Sequence, residues 1–531
     1  MWHAIVEHLE EYVAAYMFLS LGLVIFTGLP VAFAIGGIGL IFGFIGIWLD
    51  ILSFGEFFII LPRIWGGDGS SGAIQNPVLV AIPCFIFMGT MLERSRVAAD
   101  LLHILQVMLK RVPGGLALSV TVMGTIMAAT TGIIGASVVM MTLLALPTML
   151  KQNYYVPLAT GTLAASATLG ILIPPSIMLV LMANLLAVSV GNLFVGAIIP
   201  GLVLSALYFA YILTVSSLKP EQAPPIEDDS ISLDPTNPAM LRQFLIVVGG
   251  IAALAAVLES ANVATETFNW TLLAIFAIFA VCMFYGRRQG DTMFGAVLKG
   301  FVPPIFLVLL VLGSIFAGWA TPTEAAGVGA FGSIVLAIFN GTLTMQVMKD
   351  VVFRTTLTTS MIFLIFLGAT TFSYIFRALY GEELIIEFIE WLNLNPWGLL
   401  FILMGVVFLL GFFFDWLEIT LIILPVFAPV VKAIAPAFAD HIGMTGAPIQ
   451  FVQTQAIYWF AILVAINLQT SFLTPPFGFA LFYMKGVAPA SVKMQEIYRG
   501  IIPFVVLQLI GLATVVYWPQ ITLWLPSIML E

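Results

Sequence analysis

Long unbroken stretches of apolar side chains decide most of what this chain can fold into. They run approximately over 16–49, 77–92, 114–150, 157–186, 192–217, 243–258, 269–285, 301–339, 357–379, 397–431, 451–488 and 501–528. A bilayer core about 30 Å thick is crossed by roughly 20 apolar residues in a helix. A membrane barrel would instead show ~10-residue segments of alternating polarity. Several runs are too long for one crossing and require a bend or a hairpin. Composition agrees: 61% of the 531 residues are hydrophobic and only 8% are charged, against about 25% charged in a soluble domain. The sequence predicts an all-α polytopic membrane protein embedded in a lipid bilayer, with about a dozen transmembrane helices plus two re-entrant hairpins.

Two short segments interrupt these runs in the same way. Ile173-Pro174-Pro175-Ser176 lies in the first half and Thr474-Pro475-Pro476-Phe477-Gly478 in the second. Proline removes a backbone donor and clashes with the preceding turn, so each pair breaks a helix at membrane depth. Broken backbone is tolerated there only when it is buried in protein or lines a cavity. A matched pair of interrupted helices points to the binding site of a secondary transporter. Pro30, Pro147, Pro322 and Pro425 mark further expected bends.

Between Leu218 and Arg242 the chain turns polar, with five prolines and a run of acids from Glu227 to Asp229. Two apolar segments follow, and the loop between them carries Glu259 and Glu266 but no Lys or Arg. Lys219, Arg242, Arg287, Arg288 and Lys299 flank the pair, so the positive-inside rule places the linker and residues 286–300 in the cytoplasm. The expected organisation is a first repeat half over 1–217, a linker with an inserted helix pair over 218–300, and a second half over 301–531. Gly89-Thr90-Met91-Leu92-Glu93 and Gly411-Phe412-Phe413-Phe414-Asp415 precede the two Pro-Pro elements in the same order, which supports two structural repeats.

Polar residues cluster before both breaks. Gly161, Thr162, Ser166, Thr168 and Gly170 precede the first; Asn467, Gln469, Thr470, Ser471 and Thr474 precede the second. Each unsatisfied polar group at membrane depth costs several kcal/mol, so these residues face a cavity or ion site, or bond between helices. The small run Thr130-Thr131-Gly132 and Gly135-Ala136-Ser137 either offers oxygen ligands or permits close helix packing. Asp415 and Glu418 stand in apolar sequence, where an ionisable residue is costly and defaults to function unless it sits at a helix end. Glu324, three residues after Thr321, fits a capping box. Arg377 ends an apolar run, where it either draws an anion or snorkels to the interface. Residues 97–109 read as an amphipathic surface helix, and Trp391, Trp397, Trp416, Trp459, Trp518 and Trp524 as interface anchors.

Some function classes drop out. No Walker A motif, nucleophile elbow or His-Glu-x-x-His is present, and the four histidines are scattered without metal-ligand spacing. Catalysis needs an acid–base, nucleophile or metal constellation that this sequence does not offer, so the chain is not expected to be an enzyme. Cys84 and Cys282 both lie in apolar runs and read as buried thiols. The net charge of −9 is spread over loops, and no nucleic-acid partner is expected. Glu7, Glu10 and Glu11 replace the basic start of a cleaved signal peptide.

Together these stretches resemble the large permease subunit of the TRAP (tripartite ATP-independent periplasmic) transporters. The resemblance rests on Pro83 through Gly89, Pro113 through Ala117, Gly161 through Ser176, Ala320 through Ala326, Gly411 through Asp415, and Asn467 through Gly478. The inserted pair and the wording of Asn467 through Ala480 resemble the longer branch, labelled for mannitol, chloroaromatic or keto-acid uptake. The resemblance implies an elevator-type transporter of the bacterial inner membrane that takes up an organic acid with Na⁺. It also implies a small four-helix permease subunit and a periplasmic substrate-binding protein as partners. Carried over, one Na⁺ site would use Gly89, Thr131, Gly132, Gly170 and Pro175, and a second Gly411, Ser471, Thr474 and Phe477. Ser166, Thr168, Asp415, Asn467 and Thr470 are the candidate substrate contacts. Many members carry Ser-Gly-Ser where this chain has Thr131-Gly132-Ile133, and Gly where Ser471 stands. The alternative within reach of the sequence is a self-sufficient ion/dicarboxylate symporter of similar architecture.

Overall fold

The computed structural model describes residues 2–66, 72–95, 97–131, 134–225, 302–475 and 478–529. The predicted inserted helix pair, with the topology inferred from its flanks, falls within 226–301 and lies outside the described residues, as do Gly132, Pro476 and Phe477. Among the described residues the ordered elements are all helical. In the first half these are α1 (Trp2–Phe26), α2 (Val31–Trp48), α3 (Phe54–Phe57), α4 (Ile60–Trp65), α5 (Ala81–Arg94), α6 (Val97–Met108), α7 (Gly115–Thr131), α8 (Ile134–Lys151), α9 (Val156–Thr168), α10 (Ile177–Leu185) and α11 (Val190–Leu218). The second half holds α12 (Val302–Phe316), α13 (Pro322–Phe339), α14 (Met345–Ala378), α15 (Gly381–Leu392), α16 (Pro396–Leu410), α17 (Trp416–Ile434), α18 (Ile449–Leu473), α19 (Phe479–Val487), α20 (Met494–Tyr517) and α21 (Gln520–Met529). Nine of the described helices are long and apolar enough to cross a membrane.

One sequence of elements occurs in both halves. A helical hairpin (α7–α8, α16–α17) leads to a helix that breaks (α9/α10, α18/α19) and then to a long helix (α11, α20). Packing follows the same reciprocity. The helix that leaves each break lies against the returning arm of the opposite hairpin: α10 on α17, and α19 on α8. Likewise α9 packs on α20, and α18 on α11. At the α9–α20 crossing a Cβ on Gly161 would overlap the Gly500 carbonyl, and one on Gly500 would overlap that of Pro157. Small residues are what let membrane helices approach this closely.

The remaining helices surround this unit. The longest, α14, packs against α2, α4, α5 and α17. Its contact with α2 is built on glycine: a Cβ at Gly368 would stand 2.9 Å from the Ala32 carbonyl oxygen. Outward faces carry exposed apolar residues such as Leu19, Phe33, Phe353 and Phe401, as hydrocarbon contact permits.

Several sequence expectations receive a local answer. Pro30 and Pro322 begin new helices, whereas Pro147 and Pro425 are absorbed inside α8 and α17; neighbouring groups can take up the backbone bond that a membrane-helix proline frees. Glu324 forms the predicted capping box, accepting from Thr321 N at 2.8 Å. Helix α6 forms over the predicted residues but is covered by α5 and α7, with eight of its positions buried. It is therefore a packed helix rather than one lying on a surface. Trp391, Trp518 and Trp524 are exposed as anchors should be, but Trp416 and Trp459 are buried. Trp459 is stabilised in the interior because its indole N–H donates to the Val515 carbonyl at 2.9 Å.

Candidate functional site

At the first break α9 ends in a 3-10 turn, Leu169–Ile171, and the chain passes through Pro174-Pro175-Ser176 before α10 begins. Residues 157–172 and 174–176 are all buried. Proline cannot donate, so local bonds close the turn in another way. Leu172 N and Ile173 N both donate to the Leu169 carbonyl, at 3.1 and 3.0 Å, and the Ser176 hydroxyl donates to that of Ile171. Helix α7 packs against this turn, which carries Gly170. Arm α7 ends at Thr131, so the tip of the first hairpin follows directly from a helix that touches the break.

The second break is less buried. The last 18 residues of α18, Ala456–Leu473, are all buried, but Thr474 is half-buried and Pro475 exposed. Thr474 O–H donates to the Thr470 carbonyl at 2.6 Å, and Thr474 N to Ser471 O at 3.2 Å. Gly478 opens α19 with φ of +35°, a left-handed conformation that suits glycine. The tip of the second hairpin sits against this helix. A Cβ on Gly411 would overlap the Ser471 side chain, and the Ser471 hydroxyl donates to Asn467 O at 3.2 Å and to Phe408 O at 3.4 Å. Asn467 ties the same two elements together, its amide donating to the Met404 carbonyl at 2.7 Å. The breaks are neighbours, since α18 also contacts α9 and the turn Leu169–Ile171.

These geometries sort the sequence-predicted residues. Gly411, Ser471 and Thr474 come together at one hairpin tip and one break. Gly170 and Pro175 share the first break, against which α7 packs. Gly89 stands apart: it is buried in the interior of α5, where an α-helix commits its carbonyl to the N–H four residues on. The paired Gly-x-x-x-acid segments thus have different settings, one inside a helix and one at a hairpin tip. None of the candidate substrate residues lines the open cavity described below. Thr168 accepts from Gln508 at 3.5 Å, and Ser166 O–H donates to Thr121 at 3.4 Å. Thr470 bonds back to the Ile466 carbonyl at 3.4 Å. Asp415 caps α17, accepting from Trp416 N at 2.8 Å while Glu418 accepts from Asp415 N at 3.3 Å.

Two further features mark this region. Gln469 is fully buried in α18, two residues before Ser471, and neither its amide nitrogen nor its oxygen finds a hydrogen-bond partner. Such an orphaned group costs about 1–3 kcal/mol. Its signal in the sequence was its polarity at membrane depth. The second feature is a cavity of about 190 Å³ between α4 and α14 on one side and α10 and α17 on the other. Arg63, Tyr374 and Arg377 line one wall and Asn184 the other. No cluster of three His, Cys, Asp or Glu able to hold a metal occurs among the described residues.

Comparison with known proteins places this bundle of two hairpins and two broken helices. The family model described as "Tripartite ATP-independent periplasmic transporter, DctM component" matches residues 18–521. The chain is 26% identical over 454 residues to the C4-dicarboxylate TRAP transporter large permease protein DctM of Pseudomonas aeruginosa, covering 85% of this chain and 87% of that protein. It is 24% identical over 501 residues to the sialic acid TRAP transporter large permease protein SiaM of Vibrio cholerae, covering 93% and 98%. A crystal structure of the Alcanivorax borkumensis YdaH transporter is similar at a TM-score of 0.49 and 13% identity, covering 89% of this chain and 88% of that one. With the match running through both hairpins and both breaks, the chain belongs to the DctM-component family of tripartite ATP-independent periplasmic transporters, a family of transporter permeases and not of enzymes.

Proposed function

We propose that this chain is the translocating large subunit of a Na⁺-coupled uptake system for an organic acid in a bacterial inner membrane. The observation that carries the reading is the reciprocal packing of the two broken helices, each leaving its break against the opposite hairpin. Unwound backbone at the midplane is how secondary transporters coordinate Na⁺. Gly170, Pro175, Thr131 and Gly132 are assigned to the first Na⁺ region, and Gly411, Ser471, Thr474 and Phe477 to the second. The relatives named for C4-dicarboxylates and sialic acid support an acidic substrate. The hairpins and broken helices move together as an elevator against the surrounding helices. Substrate arrives from a periplasmic binding protein, and a small four-helix permease subunit completes the membrane complex. One positive charge moving inward through 100 mV supplies about 2.3 kcal/mol, so accumulation needs no ATP.

Proteoliposomes test this directly. Uptake should require this chain, the small subunit and the loaded binding protein, together with an inward Na⁺ gradient. Transport by this chain alone would contradict the tripartite reading in favour of a self-sufficient symporter. Uptake indifferent to Na⁺ would contradict the coupling.

A further inference from the structure

The cavity between α14 and α10/α17 is lined by two arginines, whereas no basic residue stands in either break. Its 190 Å³ holds about six waters at ~30 Å³ each, room for a small organic acid. Arg63, on the short helix α4, and Arg377, in the last turn of α14, stand on the same wall. The Arg63 guanidinium lies 4.8 Å from the centre of the Tyr374 ring. Tyr374 is itself fixed, its hydroxyl donating to the Glu56 carbonyl at 2.7 Å. Arg377 pairs through Nε with Glu382 at 2.9 Å. No carboxylate pairs with Arg63 among the described residues, because the Glu56 carboxylate is turned to cap Ser53 N at 2.8 Å. Of the charged side chains nearby, only Arg63 and Arg377 belong to the cavity lining; Glu56 and Glu382 lie outside it. Snorkelling accounts for one arginine at a helix end; it gives no reason for two, from separate helices, to line one cavity.

The opposite wall is tied to the transport core. Asn184 lies near the end of α10, the helix that leaves the first break, and accepts from the Asn76 amide. Leu421 and Pro425 come from α17, the returning arm of the second hairpin. A ligand here would touch the surrounding helices and both halves of the core at once.

We propose that this cavity is a carboxylate-binding station for the transported acid, with Arg63 and Arg377 receiving its carboxylate. A guanidinium suits this task because its planar fork matches a carboxylate and stays charged. The proposal rests on the reading of the chain as an organic-acid transporter, and its test is read without Na⁺-driven uptake, so the two can fail separately. A Ser373→Cys reporter, in the full chain carrying Cys84→Ser and Cys282→Ser, places a thiol in the cavity wall. The measurement is the ratio of its modification rates by an anionic sulfonate and a cationic ammonium methanethiosulfonate reagent. Adding Arg63→Gln and Arg377→Gln should lower this ratio about tenfold, while Arg63→Lys with Arg377→Lys should retain it. Excess succinate at constant ionic strength should slow modification with the arginines present and not with the glutamines. Should the double glutamine variant fail to fold, Arg63→Gln alone, which breaks no ion pair, should lower the ratio in the same sense. An unchanged ratio, or succinate without effect on the arginine form, would overturn the proposal.

Discussion

At the scale of single residues, the second break is the most exacting environment. Ser471 bonds to two carbonyls on two elements and touches the only space that Gly411 leaves for it. Gly411→Ala should therefore push the hairpin tip off α18 and reduce uptake strongly, which transport assays on correctly assembled protein would show. Ser471→Ala and Thr474→Ala should shift half-saturating Na⁺ several-fold, since one hydrogen bond or ligand is worth about 1 kcal/mol; superimposable Na⁺ titrations would contradict the second Na⁺ region. Trp459→Phe should cost about 1 kcal/mol by orphaning the buried Val515 carbonyl, and thermal melting of the purified protein measures it. Polarity at membrane depth made the serines and threonines legible in sequence. What each of them bonds to was not, because Thr168 meets Gln508 and Asn467 meets Met404 through tertiary packing alone. Trp459 was misplaced for the same reason: a tryptophan is equally at home at an interface or beside a buried carbonyl.

At the scale of elements, the caps decide where helices begin. Asp415 and Glu418 form a capping box at α17, so the Asp415 side chain works as an acceptor rather than as a charge. Asn is as good an N-cap as Asp, whereas Ala costs about 1 kcal/mol. Asp415→Asn should keep uptake and thermal stability near the parent, and Asp415→Ala should lower stability; loss of uptake in the Asn variant would mean that the carboxylate charge itself is needed. The same box explains why the two Gly-x-x-x-acid segments diverge. Asp415 is followed by Glu418 at the capping spacing, but Glu93 is followed by Arg94 and Ser95, and α5 runs through Gly89 unbroken to Arg94. Comparing only glycine and acid paired unlike elements. The first hairpin tip instead follows Thr131, in the small polar run that sequence could read either as ligands or as packing.

At the scale of the whole molecule, the length of the apolar runs set the class and the Pro-Pro pairs located the breaks. The crossed packing of α10 on α17 and α19 on α8 was beyond reach, since it depends on how the halves meet. So was the cavity with Arg63 and Arg377, whose residues come from four helices in both halves. In the proposed elevator motion this crossing would carry both breaks together, because each helix leaving a break packs on the other half's hairpin. Coupling then follows if Na⁺ bound at the breaks travels with the acid. The direct measurement is entry of radioactive Na⁺ into proteoliposomes of the assembled complex when substrate-loaded binding protein is added. The account predicts Na⁺ entry that accompanies substrate, ceases without the binding protein and weakens in Thr474→Ala. Substrate accumulation with no accompanying Na⁺ would contradict it.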